Sequence, residues 1–176
     1  MQKRPFRIGG SFLNKFVMTP QIKTFTATKL IGKNLTFSYS NYRIVDLWSN
    51  FMPRRKEIQN VISSDLYNVQ INPINFNFSP NMPFVKWAAV PVTSFEFVPI
   101  EMETLQIPEG LYAVFAIKGD TGNAQKTFDF IFNEWLPNYK YDLDNRPHFE
   151  ILGSKYIKND PSSEEEAWIP IKKKDR

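Results

Sequence analysis

Two kinds of hydrophobic pattern alternate along the chain. Stretches rich in β-branched and aromatic residues predict strands, and two stretches with apolar residues at helical spacing predict helices. The predicted strands cover residues 22–40, 66–71, 84–92, 94–106, 111–118, 146–157 and 165–173. The predicted helices lie within residues 43–62 and 121–135. We expect Pro53 to kink or split the first helix, Pro137 to end the second, and Gly32 to form a bulge in the first strand.

The order of these elements suggests that one unit is present twice. A β–α–β–β unit with one additional strand is followed by a second β–α–β–β unit. Three short segments of the first unit have counterparts in the second, in the same order and at nearly the same spacing. The paired segments are 51–53 with 135–137, 66–69 with 149–152, and 90–92 with 169–171. A duplicated chain predicts pseudo-two-fold symmetry, with a groove between the halves as the natural ligand site.

Composition narrows the possible chemistry. The chain has 176 residues, of which 42% are hydrophobic and 15% aromatic, enough for a substantial core. It has no Cys and a single His, which excludes disulfides, thiolate metal sites and multi-histidine metal centres. We expect no metal and no cofactor. The net charge of +4 permits nucleic-acid binding but does not demand it.

The N-terminal segment gives no sign of a membrane anchor or a secretion signal. Its basic start is not followed by an unbroken apolar run, because Asn14 and Lys15 interrupt it. No segment reaches the length of a transmembrane helix. We expect a cytoplasmic protein with no membrane partner, in which residues 1–20 form an extension and the first 17 are loosely ordered.

Several segments together resemble the GyrI-like proteins and the effector-binding domain of AraC-type regulators. In the second half they are GLYAVFAIKG, FNEWLP, RPHFEIL and AWIPIKK, and in the first half KLIGKNLTFSY, DLWSNFMPR and LYNVQI. The resemblance implies an α+β fold: duplicated βαββ units forming a curved antiparallel sheet with two helices and a central cleft that binds small molecules. It implies one domain over residues 21–176, with halves at about 21–107 and 108–176.

Regulators with this domain carry a helix-turn-helix ahead of it. About 20 residues precede the matching region here, too few for two helices and a turn. We therefore expect a stand-alone version that does not bind DNA directly. A homodimer and a partner regulator both remain open.

Glu150 is the main candidate for a functional side chain. Strand alternation places His148, Glu150 and Leu152 on one face of their strand. From the pattern alone, a solvated surface carboxylate is the favoured interpretation. The resemblance implies the opposite, because in drug-binding members a glutamate of this strand lies at the pocket floor and attracts cations. A lipophilic cation would supply the counter-charge that a buried carboxylate needs.

Aromatic residues are candidates for the walls of the cleft, and core packing is the alternative for each. These candidates are Trp48, Tyr67, Trp87, Phe115 and Trp168. The repeat alignment makes Tyr67 the counterpart of Glu150, so we expect both to face the same groove. Such rings would add cation–π attraction to a bound cation.

Three functions follow from these candidates. The favoured one is binding, for sensing or sequestration, of amphipathic, cationic, aromatic small molecules above Glu150. The second is a hydrolase in which Glu150 is the general base and Tyr67 positions the substrate. The third is a protein-interaction role such as inhibition of DNA gyrase. We leave open whether the protein is an enzyme and favour a binding protein.

Overall fold

The computed structural model describes residues 18–119 and 121–174, so the expectation of a loosely ordered segment at 1–17 lies outside the described residues. The strands are β1 Gln21–Phe25, β2 Thr28–Phe37, β3 Leu66–Ile71, β4 Phe84–Val92, β5 Glu103–Ile107, β6 Gly110–Lys118, β7 Tyr141–Leu143, β8 His148–Leu152 and β9 Glu164–Lys173. Helix α1, Ile44–Phe51, continues as a 3-10 helix, Met52–Glu57. Helix α2, Thr121–Phe130, continues through a π-helical turn, Ile131–Trp135, into a last turn α3, Leu136–Asn138.

The strands form a large antiparallel sheet in the order β1-β6-β9-β8-β3-β4-β2-β5, and β7 pairs with β9. Helix α1 packs on β2 and β4, and α2 packs on β6. The central pair β3–β8 joins the two halves, and the strands on either side of it follow in corresponding order. The predicted fold class, an α+β fold of two βαββ units, is confirmed.

The two halves exchange their first strands. β1 precedes the first unit in the chain but pairs with β6 of the second. β5 leads into the second unit but pairs with β2 of the first. The predicted division at about residue 107 therefore follows the order of the chain, whereas in space each half receives an edge strand from the other.

Gly32 is not a bulge, so that prediction was wrong. The pairing of β2 with β4 is unbroken from Lys29 opposite Val92 to Phe37 opposite Phe84. A Cβ added at Gly32 would lie 2.1 Å from the carbonyl oxygen of Ala88. Glycine is therefore required by the close approach of two backbones rather than by an extra residue. The predicted strand 22–40 is also two strands, which are separated at residues 26–27.

Two other predicted strands are too long. Residues 94–102 form bends and turns, and only β5 pairs. Pro99 lacks an amide donor, and Glu101 has a φ of 61° that an extended strand does not adopt. The strand predicted at 146–157 is confined to β8, and β7 was not predicted. The effect of Pro53 was predicted correctly, because α1 gives way to the 3-10 helix there.

The sheet has two unlike faces, and the core is divided between them. The inner face carries one apolar cluster that draws on both halves, and its largest members are Phe25, Tyr67, Trp87, Tyr112, Phe149 and Trp168. The opposite face, here called the helix face, carries two separate clusters. One lies under α1 around Phe51 and Val90, and the other lies under α2 around Phe115 and Ile169. The strip of the helix face between these two clusters carries the polar side chains.

Candidate functional site

Glu150 lies on this strip, which we call the central groove. In the β3–β8 pairing Glu150 is directly opposite Asn68, so both side chains are on the helix face. The Glu150 side chain is half-buried, and Asn68 Nδ2 donates a hydrogen bond to its Oε2. The Oδ1 atom of Asn68 is buried without a hydrogen-bond partner. The floor of the groove therefore has a carboxylate at its centre and, beside it, an acceptor atom that receives no hydrogen bond from any described residue.

A lysine occupies the first-half side of the floor. Lys86 is directly opposite Gln70 in the β3–β4 pairing, which places both on the helix face. The Lys86 side chain is only 7% exposed. Burial lowers the pKa of this amine, whereas the carboxylates Glu150 and Glu165 act to raise it. The groove thus contains a buried amine as well as a carboxylate.

A second carboxylate lies on the second-half side. Glu165 of β9 is two residues from Ala167, the partner of Glu150 in the β8–β9 pairing, and so shares its face. Burial and the negative charge of Glu150 raise the pKa of Glu165 to about 7. His148, also on this face, is kept neutral, because burial and the charge of Lys86 lower its pKa to about 4.

Tyrosines form a partly exposed rim. Partial burial and the charge of Glu150 raise the pKa of Tyr42 to about 12, and the same two causes act on Tyr39. The hydroxyl of Tyr39 accepts a hydrogen bond of 3.3 Å from Gln70 Nε2. Burial and the charges of Glu165 and Glu150 raise the pKa of Tyr156. These tyrosines therefore lie within the electrostatic field of the groove carboxylates, with neutral hydroxyls and polarisable rings.

A loop at residues 72–83 links the two halves at one end of the groove through aromatic contacts. Phe76 packs edge-on against Phe84, and Phe78 lies 4.7 Å between ring centroids from Phe132 of the π-helical turn. Phe132 in turn stacks on His148. Phe78 has a φ of 59°, a backbone conformation rare for an aromatic residue. This bridging loop closes the histidine end of the groove.

Tyr67, Trp87 and Trp168 do not face Glu150. Tyr67 is opposite Ile151 rather than Glu150, and one residue of register moves a side chain to the other face of a sheet. All three rings belong to the inner-face core. The expectation that Tyr67 faces the same groove as Glu150 is wrong for this reason. Because Tyr67 and Glu150 lie on opposite faces of the sheet, they cannot act together as the hydrolase hypothesis requires.

The other two predicted aromatic residues are on the helix face. Phe115 is fully buried under α2, where its ring meets Trp135 edge-on at 5.2 Å. Trp48 is half-buried on α1, at the border of the first-half core, and meets Phe51 edge-on at 6.0 Å. Phe115 is thus part of the core, whereas Trp48 remains the predicted aromatic residue with a partly accessible ring.

Sequence reasoning missed most of the polar floor. Asn68, Lys86 and Glu165 were not candidates, although each lies at a position whose alternation with buried neighbours puts it on the face of Glu150. The signal available in the sequence was a lysine inside the otherwise apolar run FVKWAAVPV. Nothing local identifies Tyr39 and Tyr42, because only the tertiary fold brings them to Glu150. Among the described residues no group of three or more metal-ligating side chains occurs.

A duplicated α+β sheet with two helices on one face and a polar groove between them defines a class of small-molecule-binding domains. The chain belongs to the GyrI-like family, because residues 18–172 match the GyrI-like small molecule binding domain. No curated protein matches the chain in sequence.

Solved structures share this fold at low sequence identity. The structure of SAV2435 bound to tetraphenylphosphonium is 15% identical, with a TM-score of 0.64 over 88% of this chain and 94% of that one. A bacterial transcription regulation protein from Staphylococcus aureus MU50 is also 15% identical, with a TM-score of 0.65 over 89% and 99%. The EcmrR chain in a DNA complex is 13% identical, with a TM-score of 0.68 over 89% of this chain and 58% of that one.

Among the helices that the structure describes, none is long and apolar enough to cross a membrane.

Proposed function

We propose that the central groove binds lipophilic aromatic cations, with Glu150 as the anionic group beneath them, and that the protein senses or sequesters such compounds. The observation that carries this proposal is the position of Glu150. It lies on the seam of the two halves, half-buried, with a neutral amide as its hydrogen-bond partner.

The electrostatic argument starts from the partners of that carboxylate. Among the described residues no cation lies within ion-pair distance of Glu150, and its charge is felt by three tyrosines, Lys86 and Glu165. A half-buried carboxylate without an ion-pair partner attracts a ligand cation more strongly than a solvated one does. A lipophilic cation suits this site because little hydration is lost when it binds.

The aromatic part of the ligand would contact the rim. Tyr39 and Tyr42 are stacked with ring centroids 6.3 Å apart, and both rings are partly exposed. Each aromatic ring that faces a cation adds about 0.5–2 kcal/mol of attraction. Trp48 of α1 is a further candidate. Tyr67, Trp87, Trp168 and Phe115 are not part of this proposal, because they lie in the core.

The comparisons support a binding role. The family is one of small-molecule-binding domains, and the structural neighbour SAV2435 was solved with a lipophilic cation. The neighbour EcmrR is seen in a complex with DNA, which supports a sensing role in concert with a regulator. The gyrase-inhibition hypothesis stays a prediction.

Calorimetric titration of the full chain with tetraphenylphosphonium tests the proposal. Triphenylphosphine oxide serves as a neutral aromatic comparison. We expect saturable binding of the cation, and we expect Glu150→Gln to raise its Kd by ten-fold or more, since the Coulomb attraction between a partly buried carboxylate and a cation about 4–6 Å away is about 3–4 kcal/mol. Binding of the neutral oxide should be weak and unchanged by the substitution.

A matched control is available on the neighbouring strand. Glu166 precedes Ala167 on β9 and points to the inner face, where it accepts a hydrogen bond from Trp168 Nε1. Glu166→Gln removes one negative charge but keeps an acceptor, so the Kd for tetraphenylphosphonium should stay within two-fold of wild type. Equal losses in the two variants, or no binding to wild type, would reject the groove as a cation site.

A further inference from the structure

The duplication gives the floor of the groove opposite charges at equivalent positions. The segments Val90-Pro91-Val92 and Ile169-Pro170-Ile171 correspond in the two halves. Lys86 lies four residues before the first segment and Glu165 four residues before the second. The two-fold relation that places Asn68 opposite Glu150 therefore makes Lys86 the counterpart of Glu165. At this position the first half contributes the amine of Lys86 to the floor of the groove, and the second half contributes the carboxylate of Glu165.

Within the part of the chain that the structure describes, Lys86 has no partner that would account for its burial. It is 7% exposed, and among the described residues its amine forms neither a hydrogen bond nor an ion pair within 4 Å. Burying an ammonium in this way is unfavourable unless an acceptor is supplied. Glu150 and Glu165 act on Lys86 only through longer-range attraction. The missing acceptor can therefore come from a ligand.

The neighbours of Lys86 suit an anionic or acceptor group. Gln70, its partner across β3–β4, is itself 9% exposed and is held by Asn72 and the hydroxyl of Tyr39. The adjacent ring of His148 is neutral and stacked on Phe132, so no second cation competes for an anion there. The first-half end of the groove is thus polar and positively charged, next to an aromatic surface.

We propose that Lys86 is an acceptor-binding subsite, and that the groove selects aromatic compounds that carry both a cation and a carboxylate. This inference rests on the proposed function and refines its ligand class. The ligand cation lies over Glu150 and toward Glu165, and its carboxylate accepts from the ammonium of Lys86. A plain cation satisfies only one end of such a floor and is repelled by the other.

Rhodamine 110 and rhodamine 123 are matched probes for this idea. Both dyes contain the same aromatic cation. Rhodamine 110 carries a free carboxylate, and in rhodamine 123 this carboxylate is a methyl ester. Fluorescence anisotropy with the full chain measures both affinities. We expect wild type to bind rhodamine 110 at least three-fold more tightly than rhodamine 123. Lys86→Met should weaken rhodamine 110 by ten-fold or more and should leave rhodamine 123 unchanged or bound more tightly.

Two controls separate a direct contact from other effects. Lys33 lies opposite Ala88 on the same face of the sheet, so Lys33→Met removes one positive charge from this face without changing Lys86. The preference for rhodamine 110 should remain in this variant. Lys86→Gln repeats the test with a polar side chain, and a thermal melt of each variant establishes that it is folded.

The outcomes distinguish the two proposals. Binding of rhodamine 123 with no preference for rhodamine 110, or equal effects of Lys86→Met on both dyes, overturns the subsite and leaves the cation site standing. If neither dye binds wild type and tetraphenylphosphonium also fails, the cation site and the subsite are both rejected. A loss of preference in Lys33→Met as large as in Lys86→Met shows a general charge effect and also overturns the subsite.

Discussion

Asn68 and Glu150 are symmetry-equivalent residues that face each other across the axis of the molecule. They are direct partners in the antiparallel pair β3–β8, and one donates its amide to the carboxylate of the other. In a duplicated chain, the residue on the axis meets its own counterpart. Here the first half supplies a neutral donor and the second half supplies the charge, so the centre of the floor holds a single negative charge.

Replacing that amide with a second carboxylate should destabilise the fold. Asn68→Asp keeps the size of the side chain but puts two like charges on directly opposite positions of a partly buried sheet. We expect a loss of about 1–3 kcal/mol in the free energy of unfolding at pH 8, measured by urea denaturation. The loss should shrink at pH 5, where one of the two carboxyls can bind a proton.

Asn77 provides the control for this variant. It lies exposed in the bridging loop, where its Oδ1 accepts from the Ser79 amide, a role that Asp can also fill. Asn77→Asp should change the stability by less than about 0.5 kcal/mol at either pH. An Asn68→Asp protein as stable as wild type at pH 8 would show that Glu150 and residue 68 do not share a face.

His148 should make the protein less stable in acid. Its pKa is about 4 in the folded protein, against 6.5 for an ordinary histidine. Its contribution is therefore fully present above pH 6.5 and is lost as the pH falls toward 4. Between pH 7 and pH 5 the contribution of His148 should fall by about 2 kcal/mol, and His148→Gln should abolish this fall. Because Glu165 changes in the opposite direction over the same range, urea denaturation at the two pH values measures the fall in a Glu165→Gln background.

Glu165 acts in the opposite direction over the same range. Its pKa is about 7 when folded, against an ordinary value of 4.5, so its contribution is present below pH 4.5 and is lost as the pH rises through 7. Because the side chain is partly exposed, we expect only about 1–2 kcal/mol. Wild type should thus vary little from pH 7 to pH 5, whereas Glu165→Gln should show the full loss from His148. If the free energy of unfolding of Glu165→Gln changed as little between pH 7 and pH 5 as that of wild type, the proposed compensation between His148 and Glu165 would be wrong.

The affinity for tetraphenylphosphonium should depend on pH through the same residue. Glu150, Lys86 and Tyr156 are the charged or titratable groups that act on Glu165 or are acted on by it. As Glu165 ionises between pH 6 and pH 8, the groove gains negative charge and should bind the cation about three- to ten-fold more tightly. Calorimetry at the two pH values checks this. Glu165→Gln should give the same Kd at both.

Gly32 should tolerate substitution less well than Gly153. A Cβ at this position meets the backbone of β4 at 2.1 Å, and backbone cannot move aside as a flexible side chain can. We expect Gly32→Ala to lower the free energy of unfolding by about 3 kcal/mol or more. In Gly153→Ala the nearest atom is Asp65 Oδ1 at 3.5 Å, an ordinary contact, and the change should be below about 1 kcal/mol.

Lys86→Met should raise the melting temperature. The substitution replaces a side chain that is 7% exposed, and whose amine has no hydrogen-bond partner among the described residues, with an apolar chain of similar volume. Because a buried donor without an acceptor costs about 1–3 kcal/mol, we expect a stabilisation of that order. A scanning fluorimetry melt of wild type, Lys86→Met and Lys33→Met measures the effect, and Lys33→Met should melt close to wild type. A lower melting temperature for Lys86→Met would show that the amine has a stabilising partner.

The elements of the fold were predictable because their patterns are local. β3 and β4 begin and end at the predicted residues, and Pro53 changes the helix type where it was expected to. The face of each residue was predictable only within one strand. To predict which residue lies opposite Glu150 requires the register between β3 and β8. The alignment of the two repeats was wrong by one residue, and it therefore placed Tyr67 where the structure has Asn68.

The site residues that were not predicted were missed for the same reason, because their positions depend on contacts between strands and not on a local pattern. Lys86 and Glu165 belong to strands of different halves, and only the antiparallel pairing brings both to one floor. Tyr39 and Tyr42 follow β2 in an irregular segment, where no periodicity indicates a direction. The strand at 94–106 was predicted from its apolar alternation, although Pro99 argues against a paired strand. The positive φ of Glu101, which also interrupts the strand, could not be predicted from this alternation.

The exchange of edge strands has a consequence for how the chain folds during synthesis. β5 can pair with β2 soon after it leaves the ribosome, because both belong to the first 107 residues. β1 is made first but must wait for β6, and Gln21 meets Val114 only after most of the chain has emerged. Since contacts of long sequence separation form slowly, β1 should dock later than β5. Because β1 pairs with β6 and β3 pairs with β8, neither half expressed alone would contain every strand pairing of the sheet.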